Sequence, residues 1–431
     1  MKTKLLIISL LIGSSLIFSQ EQQAPKENEF SLTFQLRPRA EYRNGVLFPR
    51  NENDKAAAFI NNRTRLSLDY ARKGLNMGLS LQNTGVWGDM PQINKSANVS
   101  VYEAWAKLST TGGLFAKFGR QSLVYDDERL LGALDWNVNG RSHDALKLGF
   151  ENKEHKLHAV LAFNQNEEKR IGGTYYIAAQ PYKTMQTLWY QFNGNAAFKP
   201  SVMIMNLGYE TGNFSAGVSE VTNMQTIGTF MLLKPSKEFG LNFSGYYQTG
   251  NNAGKSQVSA YLLALKGMYD ISPKVALTGG VDYLSGEGNT DNHAVINAFN
   301  PLFGTHHKFY GAMDYFFASS FANNLNPGLA DIYVGINVKP ETKLTLSANY
   351  HYFSTTSDVY RENLKLNRGL GSEIDLQCDW AIAKDVKLSG GYSTMFGTAS
   401  MDFVKGGNHS TWQDWGWLSI NVSPRIFYSK W

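Results

Sequence analysis

The sequence predicts an all-β fold: a single up-and-down antiparallel transmembrane β-barrel of about 18 strands. Three observations predict it. Apolar and polar residues alternate with a period of two in segment after segment. Short and long connections alternate between those segments. Past the N-terminus, no stretch has the ~20 consecutive apolar residues of a spanning helix, while aromatics reach 13% with 22 Tyr and 40 Gly.

Lys2 and Lys4 precede an apolar run, Leu5 to Phe18, and Ser19-Gln20 opens a polar stretch. That is the charge, length and cleavage pattern of a secretory signal. Residues 1–19 are therefore expected to be removed, and residues 20–29 to form a polar leader. Residues 30–431 are assigned to the barrel. The one cysteine, Cys378, can form no internal disulfide and belongs to no zinc pattern. No cofactor or metal is expected. A net charge of +5 is mild for 431 residues and does not call for a nucleic-acid partner.

In the first segment Leu32, Phe34 and Leu36 share one face, and Thr33, Gln35, Arg37 and Arg39 the other. The second, from Phe59 to Tyr70, sets Leu66, Leu68 and Tyr70 against Arg63, Arg65, Ser67 and Asp69. A turn at 71–74 leads into Leu75, Met77, Leu79 and Leu81, alternating with polar residues as in a hairpin. Further strands are read near 99–109, 113–124, 144–151, 155–164, 184–193, 198–208, 223–234, 238–250, 256–270, 273–286, 328–339, 342–356, 370–382, 386–398 and 411–422. Links are short near 71–74, 109–112, 152–154, 194–197, 235–237, 271–272, 339–341 and 383–385. Between them lie mostly longer ones, the longest at 287–327. Outer-membrane barrels are built this way, with short periplasmic turns and long extracellular loops. Aromatics near strand ends, among them Tyr42, Trp87, Trp189, Tyr190, Tyr246, Tyr247, Tyr350, Tyr352, Trp412, Trp415 and Trp417, suit interfacial girdles. The expected location is the Gram-negative outer membrane, with its lipids as a partner.

In lipid a sheet must close to satisfy its backbone, and about 18 strands leave an aqueous lumen. The polar faces then line water. The early strands would display Arg37, Arg39, Arg63, Arg65, Lys107, Lys117 and Lys147, with Asp69 and Glu103 among them. A guanidinium is always charged and binds carboxylates in a fork, so such a ladder favours anions over cations.

The stretch Gly119–Asp144 is unusually charged for a loop. It holds Gly119-Arg120-Gln121, Asp127-Glu128-Arg129-Leu130, Gly132, Asp135-Trp136 and Arg141 before Asp144. These residues resemble the alginate export family of outer-membrane proteins. So do Tyr102-Glu103-Ala104-Trp105 and the run Phe299 to Phe309 with Gly311 and Asp314-Tyr315-Phe316. The resemblance runs from about Phe30 to the C-terminus. It implies an 18-stranded barrel that passes an anionic polyuronate through a lumen rich in Arg and Lys. Carried over residue by residue, it adds Arg120, Arg129 and Arg141 to the pathway. Asp127, Glu128, Asp135 and Asp144, with Asp69 and Glu103, become the acids that brace the cations. The implied partners are an anionic carbohydrate and periplasmic export or degradation proteins.

Residues 287–327 are too long for a plain connection and are read as a loop folded into the pore or capping its rim. Other functions fit less well. A general or small-anion porin shares the fold and is the alternative reading. An enzyme would need a dyad, and His143 beside Asp144 points to the opposite face of its strand, so no enzyme is expected. An energised import receptor has about 22 strands and a plug domain, for which the leader leaves no room.

Overall fold

The structure is a computed structural model that describes residues 28–93, 98–168, 170–171, 180–213, 216–290 and 294–431. The signal segment and the leader up to residue 27 lie outside these. Eighteen antiparallel strands close into one barrel. They are β1 (Glu29–Asn44), β2 (Ala57–Arg72), β3 (Leu75–Val86), β4 (Ser100–Ser109), β5 (Leu114–Gln121), β6 (His143–Glu151), β7 (His155–Phe163), β8 (Thr184–Phe192) and β9 (Phe198–Thr211). Then follow β10 (Glu220–Leu233), β11 (Phe239–Asn251), β12 (Gln257–Ser272), β13 (Val275–Leu284), β14 (Leu329–Glu341), β15 (Leu344–Ser354), β16 (Gly369–Ala383), β17 (Val386–Gly397) and β18 (Gln413–Val422). Each strand pairs with the next, and β18 pairs back with β1, Arg39 opposite Ser419.

The closing strand is broken at Ser423-Pro424. A segment unread from sequence, Arg425–Lys430, resumes the ladder with Glu29 opposite Lys430. Proline has no N–H to donate, so a break is expected there. Lys430 and Glu29 are also an ion pair at 3.2 Å. The short turns fall at one rim and the long loops at the other, as alternation predicts. One loop carries a helix absent from the sequence reading, α1 (Ala399–Lys405), whose first turn is capped by Thr398 accepting from the Met401 N–H.

The outward face is apolar, as lipid demands. Val202, Ile204, Leu263, Leu265, Ile332 and Val334 are all exposed there. The inward face is only partly what alternation suggested. From β8 to β13 it is apolar too: Met185, Met203, Met205, Leu207, Met224, Val258, Leu262 and Leu284 are buried. Loop side chains pack on them, including Leu123, Leu130, Leu131, Phe299, Met313 and Phe316. A barrel of 18 strands is too wide for its wall side chains to fill, and this one is filled from above by its own loops. Trp189, Tyr246 and Trp415 belong to this interior and are buried, so they are no part of an outer girdle. Tyr42, Trp87, Tyr247, Tyr350, Tyr352 and Trp412 do face outward.

Candidate functional site

Two loops build the interior: residues 122–142 between β5 and β6, and residues 285–328 between β13 and β14. They are laced together by backbone. The Phe303 N–H donates to the Leu130 carbonyl at 3.0 Å, Gly132 N–H to Phe303 O at 3.0 Å, and Thr305 N–H to Glu128 O at 2.9 Å. The approach explains a motif glycine. A Cβ on Gly304 would collide with the Arg129 carbonyl.

Each loop arginine has a distinct place. Arg129 is buried and forks onto Asp282 of β13, at 2.8 and 2.9 Å. It also reaches Asp127 at 2.9 Å and lies 4.0 Å over the Phe309 ring. Burial works against its charge, but Asp282, Tyr310 and Asp127 outweigh that and push the guanidinium still further up. Arg141 donates to the Phe303 and Gly304 carbonyls and ties the two loops together. Arg120, next to last on β5, lies at the loop end of the strand but not among the inward side chains. It alternates with the inward Lys117, Gly119 and Gln121, so it lies on the outer face with Phe118. There it pairs with Asp144 at 3.0 Å. Arg120 and Asp144 therefore do not meet the lumen. The Gly119–Arg120 phase could not be read from sequence, and direct pairing of Arg120 with Asp144 and of Gly119 with Ala145 settles it.

The wall arginines converge. Arg37, Arg63 and Arg65 approach one carboxylate, Asp135, at 3.2, 2.9 and 4.0 Å. Asp135 itself keeps 59% side-chain exposure, while Arg63 keeps 1%. Arg65 donates to Gln82 and lies 3.6 Å over Tyr102. Arg39 is held by Glu41 at 2.8 Å and donates to the Trp136 carbonyl at 2.9 Å. Its guanidinium covers one face of the Trp136 ring at 4.0 Å, and His307 stacks on that ring at 4.1 Å. Arg43, missed in the sequence reading, also binds Glu41, at 2.9 Å. Five guanidiniums (Arg37, Arg39, Arg43, Arg63, Arg65) thus share two carboxylates, Asp135 and Glu41.

Nearer the short-turn rim, Lys107, Lys117 and Lys147 stand directly opposite one another on β4, β5 and β6. None has an ion-pair partner among the described residues. Aromatic faces support them instead: Lys107 over Phe115 at 4.0 Å, Lys117 over Trp105 at 3.8 Å and Lys147 over Tyr125 at 5.3 Å. Of the acids, Asp127 pairs with Arg129 and Glu128 with Lys308 at 3.1 Å. Glu103 accepts from the Ser122 N–H at 2.7 Å, so it anchors a loop backbone and braces no cation directly. Asp69 is exposed and has no ion-pair partner among the described residues, against its expected bracing role. His143 is buried with Nδ1 2.7 Å from the Tyr182 hydroxyl, on the face away from Asp144.

A closed barrel with loops folded into a charged interior defines an outer-membrane channel protein. The chain belongs to the alginate export family, whose model matches residues 30–408. No curated protein matches the sequence. Among solved structures it is similar in fold to a BenF-like porin from Pseudomonas fluorescens Pf-5, at 12% identity and a TM-score of 0.60, covering 92% of this chain and 99% of that one. OccK10 (OpdN) of Pseudomonas aeruginosa matches at 11% identity and a TM-score of 0.60, over 92% and 99% of the two chains. OpdK of Pseudomonas aeruginosa, solved with vanillate, matches at 11% and 0.57, over 93% and 99%.

Proposed function

We propose that the channel passively conducts an anionic polysaccharide or oligosaccharide of the polyuronate class. The observation that carries this reading is the row Lys107, Lys117 and Lys147. Like charges directly opposite on neighbouring strands destabilise a sheet. Three unpaired ammoniums in register therefore favour an anion among them. Above them the guanidinium cluster, five cations on two acids, continues the same sign of charge along the lumen wall. These half-buried ammoniums are point charges rather than forks, which suits a conduit whose cargo must be able to leave. Membership of the alginate export family supports a uronate as cargo.

No catalytic role belongs to this reading. His143 and Asp144 face opposite sides of β6, which supports a channel without hydrolytic chemistry. A small-carboxylate porin is the second reading. It is favoured by the likeness to OpdK, which was solved with vanillate. Single-channel recording in planar bilayers separates the two. Oligouronate in the micromolar to millimolar range is expected to block current in discrete events, with vanillate and acetate causing none. Block by small carboxylates without block by oligouronate would reverse the assignment.

A further inference from the structure

A cavity of about 540 Å³ lies under the 122–142 loop, against the wall from β6 to β12. It is within the range of ligand sites and stands across the lumen from the arginine cluster. Arg129 and Lys308 line it, and so do two further cations that neither the family motif nor the arginine ladder includes. Lys156, on β7, and Lys266, on β12, both line it. Among the described residues neither has a hydrogen-bond or ion-pair partner. The cavity is not simply positive. Asp127 and Glu151 also line it, engaged by Arg129 and Ser244 and by His158 respectively. Asn242 contributes a buried Oδ1 that accepts no hydrogen bond among the described residues. Phe309 and Trp189 add apolar ring surface.

This combination selects a chemistry. A bare anion would meet the ammoniums but also the carboxylates, and would leave Asn242 Oδ1 unsatisfied. A neutral sugar would satisfy the acceptors and leave the ammoniums unmatched. A sugar acid does both: its hydroxyls donate to Asn242, Asp127 and Glu151, its carboxylates take the lysines, and its C–H faces lie on the rings. Lys156 and Lys266 also start from strands five apart, roughly 24 Å along the wall at ~4.8 Å per strand. With the two lysine stems reaching inward, carboxylates on separate rings of one short chain suit that spread better than one carboxylate does. We propose that this cavity is a second binding subsite for a short oligouronate, with Lys156 and Lys266 each taking the carboxylate of a different ring. The proposal rests on the reading of the channel as a uronate conduit.

The test is dwell time in single-channel recordings with trigalacturonate as blocker and maltotriose as the neutral control. Wild type is expected to show trigalacturonate block and no maltotriose block. Lys156→Gln and Lys266→Gln are each expected to shorten the block about tenfold, and Lys266→Arg to restore it to within about twofold of wild type. Block in wild type that both Gln variants leave unchanged would overturn the subsite and leave the conduit standing. Shortened block in Lys266→Arg as well would also overturn it, because shape rather than charge would then set the dwell time. No block in wild type would instead sink the uronate reading itself.

Discussion

Arg129 in the 122–142 loop and Asp282 on β13 share two parallel hydrogen bonds, 2.9 and 2.8 Å long, across 153 residues of chain. Side-chain exposure is 3% and 1%. This fork is where the inner loop is fastened to the wall. A buried pair adds little net stability, but removing one partner strands the other charge and costs about 3–5 kcal/mol. Arg129→Gln is expected to lower the apparent Tm and to release the loop, seen as noisier and larger single-channel current. The double change Arg129→Leu with Asp282→Leu is expected to recover most of the stability. An Arg129→Gln channel as quiet as wild type would mean that the loop is held without this pair.

Asp135 is the counter-prediction. Among the described residues it is the single carboxylate that Arg37, Arg63 and Arg65 approach, and it faces water. Asp135→Asn keeps its size and removes its charge, while Trp136 stays between Arg39 and His307. Reversal potentials in a KCl gradient are expected to shift further toward chloride, and oligouronate block to lengthen. An unchanged reversal potential would show that the three guanidiniums do not face the ion stream.

Arg120 and Lys117 sit three residues apart on β5 but on opposite faces. Arg120→Gln is expected to leave anion selectivity unchanged, since its partner Asp144 also faces outward. Lys117→Gln removes one of three ammoniums in register and is expected to reduce the chloride-to-potassium permeability ratio about twofold, less at high salt because ions in the lumen screen the remaining charges. A loss of selectivity in Arg120→Gln would place that side chain in the lumen after all.

The contrast between those two residues shows what the sequence could carry. Strand number and the alternation of turns and loops were legible, because side chains on a strand repeat every two residues and because turn length differs so plainly between rims. Arg37, Arg39, Arg63 and Arg65 share inward faces for the same reason. Periodicity carries no signal where both faces of a strand are apolar. On β9, Met203 and Met205 point inward and Val202 and Ile204 outward, and hydropathy does not distinguish them. Nor could periodicity reveal which partner a loop residue finds. Arg129 looked like a pathway residue because its partner Asp282 lies far away in sequence. Lys156 and Lys266 are single charges in ordinary strands by sequence, and the cavity they line exists only once the loops have folded in.

Lys405 supplies the prediction with a pH axis. It closes α1 and is 2% exposed. Its Nζ donates to the Ser320 carbonyl at 2.5 Å and to Ser319 Oγ at 2.9 Å, on the 285–328 loop. Phe48 and Phe321 lie 4.9 and 5.3 Å away, so the amine joins three extracellular loops with no carboxylate paired to it among the described residues. Burial pushes its pKa down from 10.5 to about 7. The folded value is the lower one, so the undocked helix binds more protons between pH 7 and 10.5 and docking strengthens as pH rises through that window. Nearby, His409 pairs with Asp402 at 2.5 Å within the same loop. Hydrogen exchange of residues 399–412, corrected for the intrinsic rate, is expected to show growing protection from pH 7 to 10 in wild type. Lys405→Met keeps the apolar stem and is expected to flatten that dependence. An equal slope in the variant would assign the titration to another group.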